Sequence, residues 1–269
     1  FLQPWVSDMP ENKSIEQLML TLQQRPRIMA LARNPLLLTI IAYLYTDTPF
    51  VLPHSRAEFY QKATDILLDV WHREHNFYPA RNKRSVLQHL ALYFQDSANR
   101  QQQDRRSVDF KQVLAEVTKV LPDLNLNSDD VERLLKEIVD RSGLLLEIDG
   151  GDRYQFAHLT LQEFFAAAAL RGNAEELVDR FEKDPDSWRE TAKLWCGLAE
   201  DSTTAIESIY AQDQITAFEC LADAQKVNQK LAAEIIDTFE QRLSGAERDE
   251  QIVRAFAAVA ADDRPRGRA

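Results

Sequence analysis

The chain has 269 residues, 45% of them apolar, enough to bury one substantial core or two to three smaller cores along its length. It contains only 7 Gly and 10 Pro residues, so turns are few and long helices are favoured between them. The formal net charge of −11 repels phosphate backbones and argues against wholesale electrostatic binding of nucleic acid, although short basic runs occur at residues 81–84 and 264–268.

The sequence also predicts a compartment. No window approaches the roughly 20 consecutive apolar residues that a membrane-spanning helix requires, and no basic-then-apolar leader begins the chain. Cys196 and Cys220 lie in helical patterns without paired spacing, so we expect free, buried thiols in a reducing compartment. We therefore expect a cytoplasmic chain, and Phe rather than Met at position 1 suggests a piece of a longer polypeptide.

The first predicted helix begins after Asn34, whose side chain can cap it. Pro35 can occupy the first helical position, where its missing N–H costs nothing, and the helix should run to about Tyr45. Apolar residues at helical spacing then predict three amphipathic helices, which include residues 59–70, 87–94 and 110–117.

A further helix is predicted from about Asp129 to Arg141. Asn127 and Ser128 precede it as candidate N-caps, and Gly143 can end it in the left-handed conformation that glycine adopts cheaply. The apolar positions between these ends recur at helical spacing.

One β-hairpin interrupts this helical pattern. Residues 144–148, apolar except for Glu147, and residues 153–156 flank an Asp-Gly-Gly-Asp turn at 149–152, which supplies positive φ at low cost. Another helical pattern follows at 159–170. Helices, one hairpin and one more helix are the order of a winged-helix domain, which we place at 77–172.

The remaining residues are predicted to be helical, without a legible fixed-length repeat. Short connections between similar helices suggest a superhelical stack, as in α-solenoids. The predicted fold class is mainly all-α with one β-wing. The predicted domains are a helical subdomain at 1–76, the winged helix at 77–172, a solenoid-like helical domain at 173–262 and a disordered tail at 263–269.

The sequence contains no complete phosphate-binding loop, because no Gly is followed by Lys. Residues 144–150 resemble an apolar strand that ends in a magnesium-binding Asp. A second strand follows immediately, however, and no phosphate-binding loop precedes, so the hairpin interpretation is preferred.

The candidate metal and acid–base residues are equally incomplete. His72 and His75 lie three residues apart on one predicted helix, but no third ligand stands at a suitable spacing. Glu74 with these histidines, and Asp149 with Asp152, are pairs that arise by chance in a chain with 28% charged residues. No catalytic or metal-binding residue is predicted.

A winged helix invites a DNA-binding hypothesis, because the helix before the wing is the one that enters the major groove. The acidic residues of this helix outnumber its basic residues, which makes binding to phosphates unfavourable. The acids are Asp129, Asp130, Glu132, Glu137 and Asp140, and the bases are Arg133, Lys136 and Arg141. A winged-helix DNA-binding regulator is therefore the alternative function.

Two strings resemble the NACHT family of regulatory NTPases. Residues 34–39 read Asn-Pro-Leu-Leu-Leu-Thr, and residues 154–167 read Tyr-Gln-Phe-Ala-His-Leu-Thr-Leu-Gln-Glu-Phe-Phe-Ala-Ala. In that family the first string belongs to a helical subdomain behind the nucleotide-binding core, and the second spans the end of the wing and the last winged-helix helix. Residues 52–60 are similar to the connecting segment, so the resemblance covers about 27–171.

The resemblance implies a regulatory fragment of a parent protein that switches between ADP-bound closed and ATP-bound open states. Pro35 resembles the proline that packs against adenine, and His158 resembles the histidine that contacts the ADP β-phosphate; a helix-start proline and a junction histidine are the structural alternatives. The nucleotide, with Mg²⁺, would bind only in the parent, whose upstream core completes the site. The fragment alone is expected not to be an enzyme.

The resemblance also implies partners: the upstream core in cis, and a protein or signal on the helical stack. The parent is expected to oligomerise on activation. A passive helical scaffold for protein interactions is the second alternative function.

Overall fold

The computed structural model describes residues 9–46, 53, 55–70, 73–101, 106–244 and 250–260. Helices dominate these residues, and one small antiparallel sheet interrupts them, which confirms the mainly α-helical class. None of the described helices combines the length and apolar character that crossing a membrane requires. The predicted tail at 263–269 lies outside the described residues.

The helices are α1 (Ile15–Gln23), α2 (Pro26–Leu31), α3 (Pro35–Thr46), α4 (Arg56–Asp65), α5 (Ala80–Gln101), α6 (Phe110–Val120), α7 (Val131–Glu137), α8 (Leu159–Ala169), α9 (Ala174–Lys183), α10 (Pro185–Leu198), α11 (Thr203–Tyr210), α12 (Gln214–Asp223), α13 (Gln229–Ser244) and α14 (Glu250–Ala260). The strands are β1 (Ser107–Asp109), β2 (Leu145–Ile148) and β3 (Arg153–Phe156). Helices α4 and α7 each continue through one π-helical turn, Ile66–Val70 and Ile138–Ser142.

Helix α3 begins as the sequence predicts. Asn34 Oδ1 accepts hydrogen bonds from the backbone N–H groups of Leu36 and Leu37, at 2.9 and 3.2 Å. Pro35 occupies the first helical position, where its missing N–H leaves no bond unmade. The helix buries an almost continuous apolar run, so its residues support the core on more than one side.

Residues 80–156 form a helix-turn-helix with a β-wing. Helix α5 is followed by β1, α6, α7 and the hairpin β2–β3, and the antiparallel sheet has the order β1-β3-β2. Val108 of β1 pairs with Tyr154 of β3, and Leu145 of β2 pairs with Phe156. Strand β1 was not predicted, because three residues are too short for an alternating apolar pattern.

The backbone of the wing turn confirms the predicted use of positive φ. Asp149, Gly150 and Gly151 have φ values of 52°, 72° and 97°. Gly143, with φ of 63°, ends the helical residues of α7 at the predicted position. A single 3-10 turn, Ser128–Asp130, precedes α7.

The helices after the winged helix form three antiparallel hairpins within the described residues: α9 with α10, α11 with α12, and α13 with α14. Helix α9 packs against α11, whereas α10 packs against α12 and α12 against α14, so the hairpins stack side by side. The Phe218 ring stacks on Phe239 with centroids 4.2 Å apart and contacts Phe256 at 5.4 Å. These rings join the second hairpin to the third.

Helix α10 joins this stack to the winged helix. It packs against both α8 and α4, and Trp195 Nε1 donates to the carbonyl of Leu170 at 2.7 Å. Gly197 lies against Ala57, which allows α10 and α4 to approach closely. Cys196 of α10 and Cys220 of α12 are free and buried, as predicted.

Candidate functional site

His158 lies at the junction between β3 and α8. Its backbone is extended, with φ of −150° and ψ of 138°, and it is the N-cap residue of α8. Its Nδ1 accepts a hydrogen bond from the backbone N–H of Thr160 at 3.2 Å. Because an accepting Nδ1 carries no proton, the neutral ring carries its proton on Nε2 and donates from there.

Apolar contacts fix the position of this junction. The Phe156 ring, at the end of β3, contacts Phe94 of α5 and Phe165 of α8, with centroids 5.6 and 6.0 Å apart. The backbone N–H of Ala157 donates to the carbonyl of Leu144 at 2.9 Å, which extends the strand pairing to the residue before His158. The side chain of His158 therefore projects from a rigid corner of the fold.

An open pocket of about 340 Å³ lies beside His158. Residues 155–159 form its wall, together with Arg106, an exposed cation just before β1, and Gln162. Gln162 is buried, and its Nε2 donates to Gln95 Oε1 at 2.8 Å. The pocket therefore combines a positive charge, an imidazole and the amino end of α8, a combination suited to anionic groups.

Burial lowers the pKa of His158 below its ordinary value of 6.5. Protonation of Nδ1 would also break the bond from Thr160, so the neutral ring with a proton on Nε2 is the form in this chain at neutral pH. The family resemblance implies a phosphate contact by His158, and this tautomer supplies a donor for it without a positive charge.

Pro35 lies on the exposed surface, at the start of α3. It is not among the residues that line the pocket beside His158. The isolated chain does not join the two predicted nucleotide residues in one pocket, and their roles stay predictions.

The other candidate residues are scattered. His72 lies outside the described residues, whereas His75 is exposed on a short 3-10 turn, so the predicted pair cannot be compared. Asp149 and Asp152 are exposed at the tip of the wing. In the part of the chain that the structure describes, no group of three potential metal ligands comes together.

Helix α7 and its flanking turns, residues 129–141, leave equal numbers of acids and bases toward solvent, because two of their five acids are engaged by the fold. Glu137 is buried and accepts from the backbone N–H groups of Phe77 and Tyr78, while Lys83 Nζ lies 3.2 Å away. Asp130 accepts from the hydroxyl of Tyr78 at 2.8 Å. The residues left toward solvent are three acids and three bases: Asp129, Glu132, Asp140, Arg133, Lys136 and Arg141.

Sequence reasoning missed a cluster of ion pairs that joins α2, α4, α10 and α12. Asp223 at the end of α12 is fully buried and pairs with Arg27 and Arg56. Glu190 of α10 also pairs with Arg56. These partners lie more than 130 residues apart in the chain, so no local pattern connects them.

Residues 56–170 match a family described as the winged helix-turn-helix domain C-terminal to NACHT. The match begins at α4 and ends after α8, so it includes His158 and its pocket but leaves Pro35 outside. No curated protein matches the chain. The family resemblance inferred from residues 154–167 is confirmed, whereas residues 34–39 lie outside the match.

Proposed function

Since residues 56–170 match the winged helix C-terminal to NACHT, we propose that the chain is a C-terminal part of a NACHT-family protein, in which it reads the nucleotide of the parent protein and holds its closed, autoinhibited state. The upstream nucleotide-binding core is then its partner in cis. His158 and Pro35 face the nucleotide from this side, and catalysis belongs to the parent.

The observation that carries this proposal is the fixed tautomer of His158. The Thr160 N–H holds Nδ1 as an acceptor, so Nε2–H is the donor of a side chain that lines an open pocket. A neutral donor binds a phosphate oxygen without a change of protonation. A hydrogen bond to a charged group contributes about 1.5 to 3 kcal/mol.

The residues present fit one side of an ADP or ATP site. When bound, such a nucleotide supplies anionic phosphate oxygens, with Mg²⁺ as their counter-ion in the ATP-bound parent. His158 offers one donor, Arg106 adds positive charge beside it, and the amino end of α8 favours an anion. The exposed ring of Pro35 is accessible to a flat apolar group such as a base.

Two substitutions at His158 separate the nucleotide role from the structural role. His158→Asn keeps an N-cap acceptor for the Thr160 N–H but removes the Nε2 donor, whereas His158→Ala removes both. In the full-length parent, both variants should release ADP about 10 to 100 times faster, the factor expected for one hydrogen bond to a charged group. His75→Gln, an exposed histidine change, is the matched control.

The readouts are the rate of ADP release and the midpoint of thermal unfolding. Only His158→Ala should lose stability, by about 1 kcal/mol, because Asn is a good cap and Ala is not. Unchanged ADP release from His158→Asn, together with a stability loss in His158→Ala, would make His158 a structural cap and reject the nucleotide role.

A helical scaffold for protein partners is the second candidate function, and the three stacked hairpins from α9 to α14 favour it. A DNA-binding role has less support, because the solvent-facing residues of 129–141 include as many acids as bases. Sequence-dependent binding of duplex DNA with a nanomolar dissociation constant at physiological salt, measured by gel mobility shift, would reverse that ranking. The scaffold function would be favoured by two results together. Deletion of residues 174–260 would abolish the capture of a protein partner, and the His158 variants would release ADP at the unchanged rate.

A further inference from the structure

One buried carboxylate receives arginines from two different parts of the chain. Asp223 ends α12 and is fully buried. Arg27 of α2 places Nη2 at 2.6 Å from Oδ1, and Arg56 of α4 places Nη2 at 3.1 Å from Oδ2. Arg27 Nη1 also donates to the carbonyl of Ala222 at 2.6 Å. The last turn of α12 is therefore the point at which α2 and α4 meet the stack.

Among the described residues, Arg56 has more carboxylate partners than Arg27 has. Arg56 Nη1 donates to Glu190 Oε2 of α10 at 3.1 Å, and Glu190 also pairs with Lys193 on the same helix. Burial opposes the charge of Arg56, but Asp223 and Glu190 outweigh it, and they raise the pKa of this guanidinium above its ordinary value. Arg56 is thus held by two carboxylates on two helices of the stack.

The helix that carries Arg56 is also packed more closely than the helix that carries Arg27. Arg56 begins α4, where Ala57 lies so close to Gly197 of α10 that an added Cβ would be 2.6 Å from its Cβ. Phe59 and Tyr60 of α4 are also buried. Arg27 lies instead on α2, a helix of only six residues in which only Ile28 is buried. Helix α4 is therefore fixed to α10 by close packing, whereas α2 contributes Ile28 and the partly buried Met29 and Leu31 to the core.

We propose that Arg27 is a releasable latch, which holds the N-terminal helices against α12 in the closed state, while Arg56 is the permanent partner of Asp223. When Arg27 leaves, Arg56 still neutralises Asp223, so the separation strands no buried charge. This inference rests on the proposed closed and open states and adds the contact that regulates them. The opening boundary then lies between α2 and the block formed by α4, α8, α10 and α12.

The contact geometry is consistent with release. Oδ1 of Asp223 accepts no aligned hydrogen bond among the described residues, so its pairing with Arg27 is ionic. Arg27 also makes a hydrogen bond of normal geometry to α12, from its Nη1 to the carbonyl of Ala222. The side chain of Arg27 is 12% exposed and that of Arg56 is 19% exposed, so the two arginines do not differ in the sense of the latch by exposure. They differ in their carboxylate partners among the described residues, which are Asp223 for Arg27 and both Asp223 and Glu190 for Arg56.

Amide hydrogen exchange on the 269-residue chain tests the latch without any nucleotide. In Arg27→Met, amides of α1 and α2 should exchange about 10 to 100 times faster, the factor expected for one hydrogen bond from a charged group. Amides of α10 and α12 should keep their protection. Arg33→Met removes an exposed arginine from the turn after α2 and is the matched control. In Arg56→Met, exchange should instead accelerate in α4, α10 and α12.

Equal exchange of α1 and α2 in Arg27→Met and Arg33→Met would overturn the proposal, as would a comparable loss of protection in α12. Arg27→Met combined with Asp223→Asn provides a second measurement. In α1 and α2 the double variant should exchange no faster than Arg27→Met alone, since Arg27→Met already removes the contacts of Arg27 with Asp223 and with the Ala222 carbonyl. The further loss of the Asp223–Arg56 pairing is read in α4, α10 and α12. Additive effects in α1 and α2 would reject the latch. If Arg27→Met leaves the exchange of α1 and α2 unchanged while His158→Asn releases ADP fast, the latch is rejected and the proposed function stands. If Arg27→Met accelerates that exchange while His158→Asn releases ADP at the normal rate, only the proposed function is rejected.

Discussion

Gly197 of α10 and Ala57 of α4 bring these two helices into close approach. A Cβ on Gly197 would lie 2.6 Å from the Cβ of Ala57 and 3.6 Å from the carbonyl oxygen of Asp223. Neither neighbour is the end of a flexible side chain, so α4 and α10 would have to move apart. The close approach also keeps Arg56, the residue before Ala57, against Asp223.

Gly197→Ala should therefore destabilise the chain, although alanine is the better helix former. An uncrowded helical glycine would gain up to about 1 kcal/mol from this change, whereas overpacking a core typically costs about 1 to 3 kcal/mol. We expect a net loss in urea unfolding. Ala57→Gly in the same chain removes the clashing methyl and should restore part of the loss. A stabilised Gly197→Ala variant would show that the two helices are free to separate.

Glu137 should be among the most sensitive charged residues of the winged helix. It is buried, accepts from two backbone N–H groups and pairs with Lys83, whose side chain is only 1% exposed. Glu137→Ala leaves that ammonium buried without its partner, which costs about 3 to 5 kcal/mol. Urea unfolding measures the loss. Glu132→Ala, an exposed acid on the same helix, is the control and should change stability by less than about 0.5 kcal/mol.

The sequence predicted the elements whose determinants are local. The start of α3 at Pro35, the end of α7 at Gly143 and the wing turn at 149–152 each depend on residues within four positions of one another. Helix α12 was not singled out, because its residues 216–218 and 220–223 are buried on several sides and leave no amphipathic period.

The sequence predicted the part of the His158 site that depends on neighbouring residues. His158 lies at the strand-to-helix junction expected from residues 154–167, since strand and helix patterns both end there. Its protonation depends on burial and on the Thr160 N–H, which no sequence pattern reports. The pairing of Arg27 with Asp223 spans 196 positions of the numbering and follows from tertiary packing alone.

The lowered pKa of His158 gives stability a defined pH dependence. Because burial favours the neutral ring in the folded chain, the unfolded chain binds the proton more readily below its pKa of about 6.5. This contribution to stability is complete above about pH 6.5 and is lost as the pH falls toward the lower folded value. Unfolding midpoints of the chain and of His158→Asn between pH 5 and 8 measure it. The difference between them should grow with pH up to about 6.5 and then level off; a difference independent of pH would contradict the assigned burial.

The chain alone should neither bind ATP tightly nor hydrolyse it. Its pocket offers His158 and Arg106 to a phosphate, but no Gly-Lys sequence supplies the loop of backbone N–H groups that surrounds the β- and γ-phosphates. Calorimetry with ATP and ADP should give dissociation constants weaker than about 1 mM, corresponding to less than about 4 kcal/mol of binding free energy. Phosphate release with Mg²⁺ should equal that of buffer. Micromolar binding with a magnesium-dependent rate that His158→Asn abolishes would mean that residues within this chain complete the nucleotide site without the upstream core.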